Sequence, residues 1–191
     1  MSSEDDFEED PNPEAAHGAM PRQALDSVSE ARWDAAQEGA ELLREGEVEA
    51  AITELEQVIL ADPDNEHALF FLGAAHFERG RFDKAAKAYV EALRIAPQFS
   101  GALVGLGHAM RMQGRPTEAL KIGRELLDRN EKDSDGLYLV GLSHYARGEA
   151  AAAERFLLRF LDSQPEAEVA NEARGLIHVL NERKGPESDL N

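Results

Sequence analysis

The chain has 191 residues, with 20 Lys and Arg against 38 Asp and Glu, a net charge of −18 and no cysteine. That charge argues against nucleic acid and anionic membrane surfaces, both of which are bound through basic stripes. The missing thiols remove disulfides, thiolate metal sites and thiol catalysis together.

The first stretch, residues 1–23, opens MSSEDDFEED and carries Pro11, Pro13 and Pro21 with no apolar period. It cannot bury enough surface to offset its ordering entropy, so a disordered acidic tail is expected. Phe7, set among acids, is its one feature resembling a docking motif; a solubilising tail is the plainer reading. The charge is wrong for a secretory signal, and no apolar run approaches the roughly 18 residues that span a bilayer. A cytoplasmic protein without membrane insertion is therefore expected. Residues 1–30 and residues 32–65 are each net −8, whereas residues 66–133 are net +2.

From about Ala24 to residue 166 the pattern is helical and periodic. Gly39, Gly73, Gly107 and Gly141 lie 34 residues apart, as do Gly46, Gly80, Gly114 and Gly148, and Ala51, Ala85, Ala119 and Ala153. The repeats run about 32–65, 66–99, 100–133 and 134–167. Each divides at its second glycine into two amphipathic segments. In the second repeat, Leu69, Leu72, Gly73 and His76 mark one face of the first helix, and Ala85, Tyr89, Ala92 and Leu93 one face of the second. Gly80 is expected in a turn at positive φ, and Gly73 at a close approach of two helices. Pro97 is read as a helix stop. The third repeat departs from its neighbours at Pro116, Gly123 and Glu131. Its second helix is thus expected to be soft, with Gly123→Ala stabilising by up to roughly 1 kcal/mol if propensity decides. A last helix, 167–184, carries Val169, Leu176, Val179 and Leu180, and a polar tail, 185–191, comes after it.

These residues resemble the tetratricopeptide repeat (TPR), a helix-turn-helix unit of this period. The second repeat matches best, with Leu69, Leu72-Gly73, His76, Gly80, Phe82, Ala85, Tyr89, Ala92 and Pro97. The first departs at Ala35 and Glu38, as an end repeat without a preceding neighbour can. The resemblance implies an all-α, right-handed superhelical solenoid of four repeats with a C-terminal capping helix.

It also implies peptide binding in the concave groove. One version of the family clamps a terminal carboxylate with Lys, Asn and Arg. In one register those places hold Ala36, Ala40, Phe71, Gly101 and Gly105, and in the next Phe70, Ala74, Gly105, Asp135 and Leu139, so that clamp is absent. The family's geometry gives the groove floor as Trp33, Ala36, Ala40, Phe70, Ala74, Phe77, Val104, His108, Tyr138, Leu142 and Tyr145, with Arg111 as one positive charge.

His76, His144 and His178 share a place that Leu42 and Met110 also fill, so they read as buried packing residues. No P-loop, H-E-x-x-H or G-x-S-x-G pattern occurs. No cofactor, metal or catalytic residue is expected, and the chain does not read as an enzyme. The resemblance points to a protein-interaction scaffold that holds an apolar or amphipathic segment. The alternative is a small chaperone for a hydrophobic, secreted client. Homo-oligomerisation is left open.

Overall fold

The computed structural model describes the backbone of residues 22–184 and the side chains of residues 27–182. The acidic tail with Phe7, and the polar C-terminal tail, lie outside the described residues. Within them the chain is helical throughout: α1 (Arg22–Arg44), α2 (Val48–Ala61), α3 (Glu66–Glu78), α4 (Phe82–Ile95), α5 (Ser100–Met112), α6 (Pro116–Arg129), α7 (Ser134–Ala146), α8 (Ala150–Asp162) and α9 (Ala167–Lys184). Four helix hairpins stack in order, each packing on the next. The first helices α1, α3, α5 and α7 also touch one another in sequence and form an inner layer, while α9 packs chiefly on α8.

The turn inside each hairpin comes from its glycine. Gly46, Gly80, Gly114 and Gly148 have φ of +82°, +67°, +74° and +74°, a region where a Cβ would clash. In the second repeat the Gly80 amide donates to the Phe77 carbonyl at 2.9 Å and the Arg81 amide to the His76 carbonyl at 2.8 Å. This paired closure satisfies carbonyls that the helix end would orphan.

The mid-helix glycines mark contacts. A Cβ on Gly73 would lie 2.7 Å from the Tyr89 ring, one on Gly39 2.5 Å from Leu55, and one on Gly141 2.9 Å from Leu157. Each knob comes from the second helix of the same repeat. The third repeat is built differently, because the residue facing Gly107 by the same offset is Gly123. Its gap is filled from the fourth repeat: a Cβ on Gly107 would lie 2.2 Å from Leu139, and one on Gly123 2.7 Å from Val140. Leu139 and Val140 are fully buried. Gly123 is therefore a contact site, and the expectation of a soft α6 is corrected: α6 buries Ala119, Leu120 and Leu126.

Helix ends are equally local. Pro97 lies just past the end of α4 at Ile95, and Pro116 opens α6 at its first position, where its missing N–H costs nothing. Where Glu131 replaces the proline, α6 still stops at Arg129. There the Asn130 side chain accepts from the Lys132 amide at 3.1 Å, and Asp133 caps α7 by accepting from the Gly136 amide at 2.7 Å.

Three buried clusters run along the stack, around Leu55, around Tyr89 and around Leu157. A polar network ties α1 to the end of α2 and the start of α3. Arg32 donates to Asp62 at 2.8 Å and to Glu66 at 3.1 Å, and Asn65 donates to the Arg32 carbonyl at 3.0 Å while capping α3 through the Ala68 amide at 2.9 Å. At the open end, Ala35 is exposed where Leu69, Leu103 and Leu137 are buried in the later repeats.

Candidate functional site

The inner layer presents one row of side chains from each first helix. In the N-terminal half these are mostly aromatic. Trp33 is 46% exposed, with its ring edge-on to His67 at 5.2 Å and tilted against Phe71 at 5.6 Å. Phe70 packs on Phe71 at 5.1 Å and Phe99 at 4.9 Å, and Phe77 meets Phe82 edge-on at 5.2 Å. Between these rings, Ala40 and Ala74 are half-buried and leave room above them. Gly101 and Gly105 stay bare because a Cβ at either would run into Phe70 at 3.2 Å or Tyr89 at 2.4 Å.

Not every residue expected on the floor offers surface. Ala36 has none exposed and Leu142 only 5%, so both lie beneath the groove as packing. Phe70 and Tyr138 are shared between groove and core. Phe70 lies against the Tyr89 cluster, and Tyr138 stacks on Phe160 at 4.6 Å. Val104 and Tyr145 are half-buried, the latter packed on the Leu157 cluster.

The C-terminal half is polar. His108 and Arg111 of α5 meet Tyr138 of α7, the His108 and Tyr138 rings 6.3 Å apart. Burial, reinforced by Arg111 and opposed by Glu172 of α9, pushes His108 down to about 4, so it is neutral near pH 7. Burial, then Glu172, holds the Tyr138 phenol above its ordinary range. The Tyr138 hydroxyl lies within hydrogen-bonding reach of the Glu172 carboxylate, and Arg111 Nε is buried with no partner among the described residues. Glu172 is the one member of this group that the residue patterns did not single out. It lies 34 residues past Tyr138, so carrying the period beyond Pro165 reaches it.

The remaining histidines divide. His76 and His144 are buried as expected, His144 stacked on Phe156 and bonded to Glu149. His178 is corrected: its side chain is 75% exposed and lies 3.3 Å from Glu182. It sits at the end of the stack, where no further described helix covers it. His67 is half-buried, bonded to Ser29 at 3.2 Å, and held below its ordinary pKa first by burial. Among the described residues no cluster of His, Asp and Glu could hold a metal, and no helix is long and apolar enough to cross a membrane.

Known proteins agree with this architecture. Two family models, each described as tetratricopeptide repeat, match residues 36–99 and 77–142. Superkiller complex protein 3 of Mus musculus is 25% identical over 138 residues, 72% of this chain but only 8% of that protein. The crystal structure of MamA superposes with a TM-score of 0.65 at 22% identity, covering 77% of this chain and 84% of MamA. YrrB, described as a TPR protein with an unusual peptide-binding site, gives 0.64 at 16% identity, covering 87% of this chain and 84% of its own. At such identities the two structures speak for the fold alone. The glycine turns, the stacked hairpins and the two overlapping family matches together establish that the chain belongs to the tetratricopeptide-repeat family.

Proposed function

We propose that this chain is a non-enzymatic interaction module that holds an apolar or amphipathic segment of a partner protein along the inner faces of α1, α3, α5 and α7. The observation that carries this reading is Trp33, a large aromatic left 46% exposed at the head of a row of rings and alanines that no part of the described chain covers. A large aromatic left bare beside half-buried rings on a concave face is a common mark of a partner site. Full burial of one such side chain contributes roughly 1.5–3 kcal/mol, and completing the burial of Trp33 and its half-buried neighbours contributes a fraction of that each, before association costs. That predicts micromolar affinity for an isolated segment and little dependence on salt.

The test uses Trp33, the single tryptophan of the chain, as a reporter. Peptides selected from a displayed random library should shift its emission to the blue. Ala74→Glu, which places a charge in the open floor, should abolish that binding while the helical circular dichroism stays unchanged. Alanine at Phe70 or Tyr138 is the weaker control, because both rings also pack in the core. Peptide binding that survives Ala74→Glu, or that collapses in moderate salt, would move the site to the acidic outer surface of the first repeat.

A further inference from the structure

Each first helix after α1 packs against the second helix of the preceding repeat. α4 and α5 show the pattern, with Ala86, Tyr89 and Ala92 clustered on Ala102 and Leu106. The places that match Ala102 are Ala68 and Gly136, and those that match Leu106 are Leu72 and Val140. In α1 the same places hold Asp34 and Glu38, both exposed. Beside these acids a hollow of about 380 Å³ opens between α1 and the end of α2. Val28, Ala31 and Ala35 line it from α1, and Val58 and Ala61 from α2. The place of Ala35 is taken in the later repeats by Leu69, Leu103 and Leu137, all buried. The one base among the described residues that line the hollow, Arg32, is already bonded to Asp62 and Glu66. An array end that only needed solvating would be polar throughout. This one is apolar in its hollow and acidic along its edge.

We propose that this open end docks a basic amphipathic helix of a partner protein, laid where the second helix of a preceding repeat would lie. Its apolar side chains fill the hollow, and its Lys or Arg side chains meet Asp34 and Glu38. Short connections make consecutive helices antiparallel, so a helix in that place carries its bases N-terminal to its apolar residues. Charge and shape argue against the other occupants. Residues 1–21 of the same chain hold seven acids and no Lys or Arg, so Asp34 and Glu38 would repel them. A second copy related by a two-fold axis would set the same acids against each other. A copy stacked head to tail would bring α9, whose described residues leave no large apolar side chain exposed to enter the hollow.

The test displays a library of short helices, one face randomised, to the full-length protein and measures synthetic copies of the binders by fluorescence anisotropy. Binders should carry Lys or Arg about one turn before an apolar pair, and should weaken about threefold to tenfold in concentrated salt. Ala35→Arg puts a bulky like charge in the hollow at an exposed site. It should lower their affinity by about tenfold or more while the helical circular dichroism stays unchanged. Glu38→Lys should weaken them about threefold to tenfold, and exchanging the peptide's base for Glu should restore affinity on that variant. Ala74→Glu should leave these helices bound and the Trp33 emission unshifted, whereas groove peptides shift Trp33 and are lost, so the two surfaces are scored apart. Helices lost on Ala74→Glu but kept on Ala35→Arg would overturn the proposal and leave the groove reading standing. Binders indifferent to both Ala35→Arg and Ala31→Arg would reduce the open end to a solvating cap. Self-association in sedimentation equilibrium that Ala35→Arg abolishes would give the hollow to a second copy. A helix affinity that rises on deleting residues 1–21 would give it to the chain's own acidic tail.

Discussion

Gly123 and Gly175 both sit inside helices, and alanine is worth roughly 1 kcal/mol more than glycine in either place by propensity. Their surroundings separate them. A Cβ on Gly175 meets nothing within 4 Å, so Gly175→Ala should raise stability by up to about 1 kcal/mol. On Gly123 it would lie 2.7 Å from Val140 Cγ2, 3.3 Å from the Val140 amide nitrogen and 3.4 Å from the Gly136 carbonyl. Val140 is β-branched on a helix and has little rotamer freedom to withdraw. Gly123→Ala should therefore cost about 1–3 kcal/mol. Urea denaturation of the two variants should give opposite signs; a stabilised Gly123→Ala would show that α6 and α7 can separate freely. His108 supplies the pH dependence. Its pKa falls from 6.5 in the unfolded chain to about 4 in the fold. Between those values the unfolded state binds more protons, so stability is complete above about pH 6.5 and lost as pH falls toward 4, by up to about 3 kcal/mol. His67 and His76 are shifted the same way. His108→Gln should flatten much of the slope, and an unchanged slope would assign the loss to other groups.

At the scale of the element, α1 is held to the rest of the array as much by polar bonds as by apolar packing. Glu66 keeps only 9% of its side chain exposed and depends on Arg32, itself 22% exposed. Arg32→Ala leaves that carboxylate only the Ser29 hydroxyl as a close donor and should cost about 2–3 kcal/mol, while Arg32→Met combined with Glu66→Leu should recover most of it. Asn65→Ala removes both the cap on α3 and the bond to the Arg32 carbonyl, for about 2 kcal/mol. Thermal melts of the variants check both; a double variant no better than Arg32→Ala would mean that the packing, not the charge, is lost. None of this could be read from periodicity, because Arg32, Asp62 and Asn65 lie at repeat edges where the pattern is silent. The glycine turns were legible for the converse reason. A positive φ admits almost one residue type, and that residue recurs every 34 positions.

Across the whole molecule each hairpin touches only its neighbours, so stability is a sum along a line and the ends are its weakest terms. Hydrogen exchange should find α9, which packs chiefly on α8, less protected than α3 through α7, with α6 not singled out. Equal protection of α9 and α5 would contradict a linear array. The order of the helices and the inner layer were legible because period and fold share one repeat. The groove floor was legible only in part. Ala36 and Leu142 stand at the right register, but register says which way a side chain faces, not whether a neighbour has covered it. Gly123 misled for a related reason: the residue that fills its gap belongs to the next repeat.

That displaced filling restricts how an array of this kind can change its length. Between the second and third repeats the order of bulk is Gly73, Tyr89, Gly105; between the third and fourth it is Gly107, Gly123, Leu139. Deleting residues 100–133 would bring Tyr89 against Leu139, two large side chains in a space made for one. Duplicating the same residues would set Gly123 beside a second Gly105 and leave a void. Neither junction tolerates the other's partner, so although every repeat carries the same signature, the chain cannot gain or lose its third unit by a simple recombination between like sequences. What is inherited intact is the seam between two repeats, with half its residues on either side.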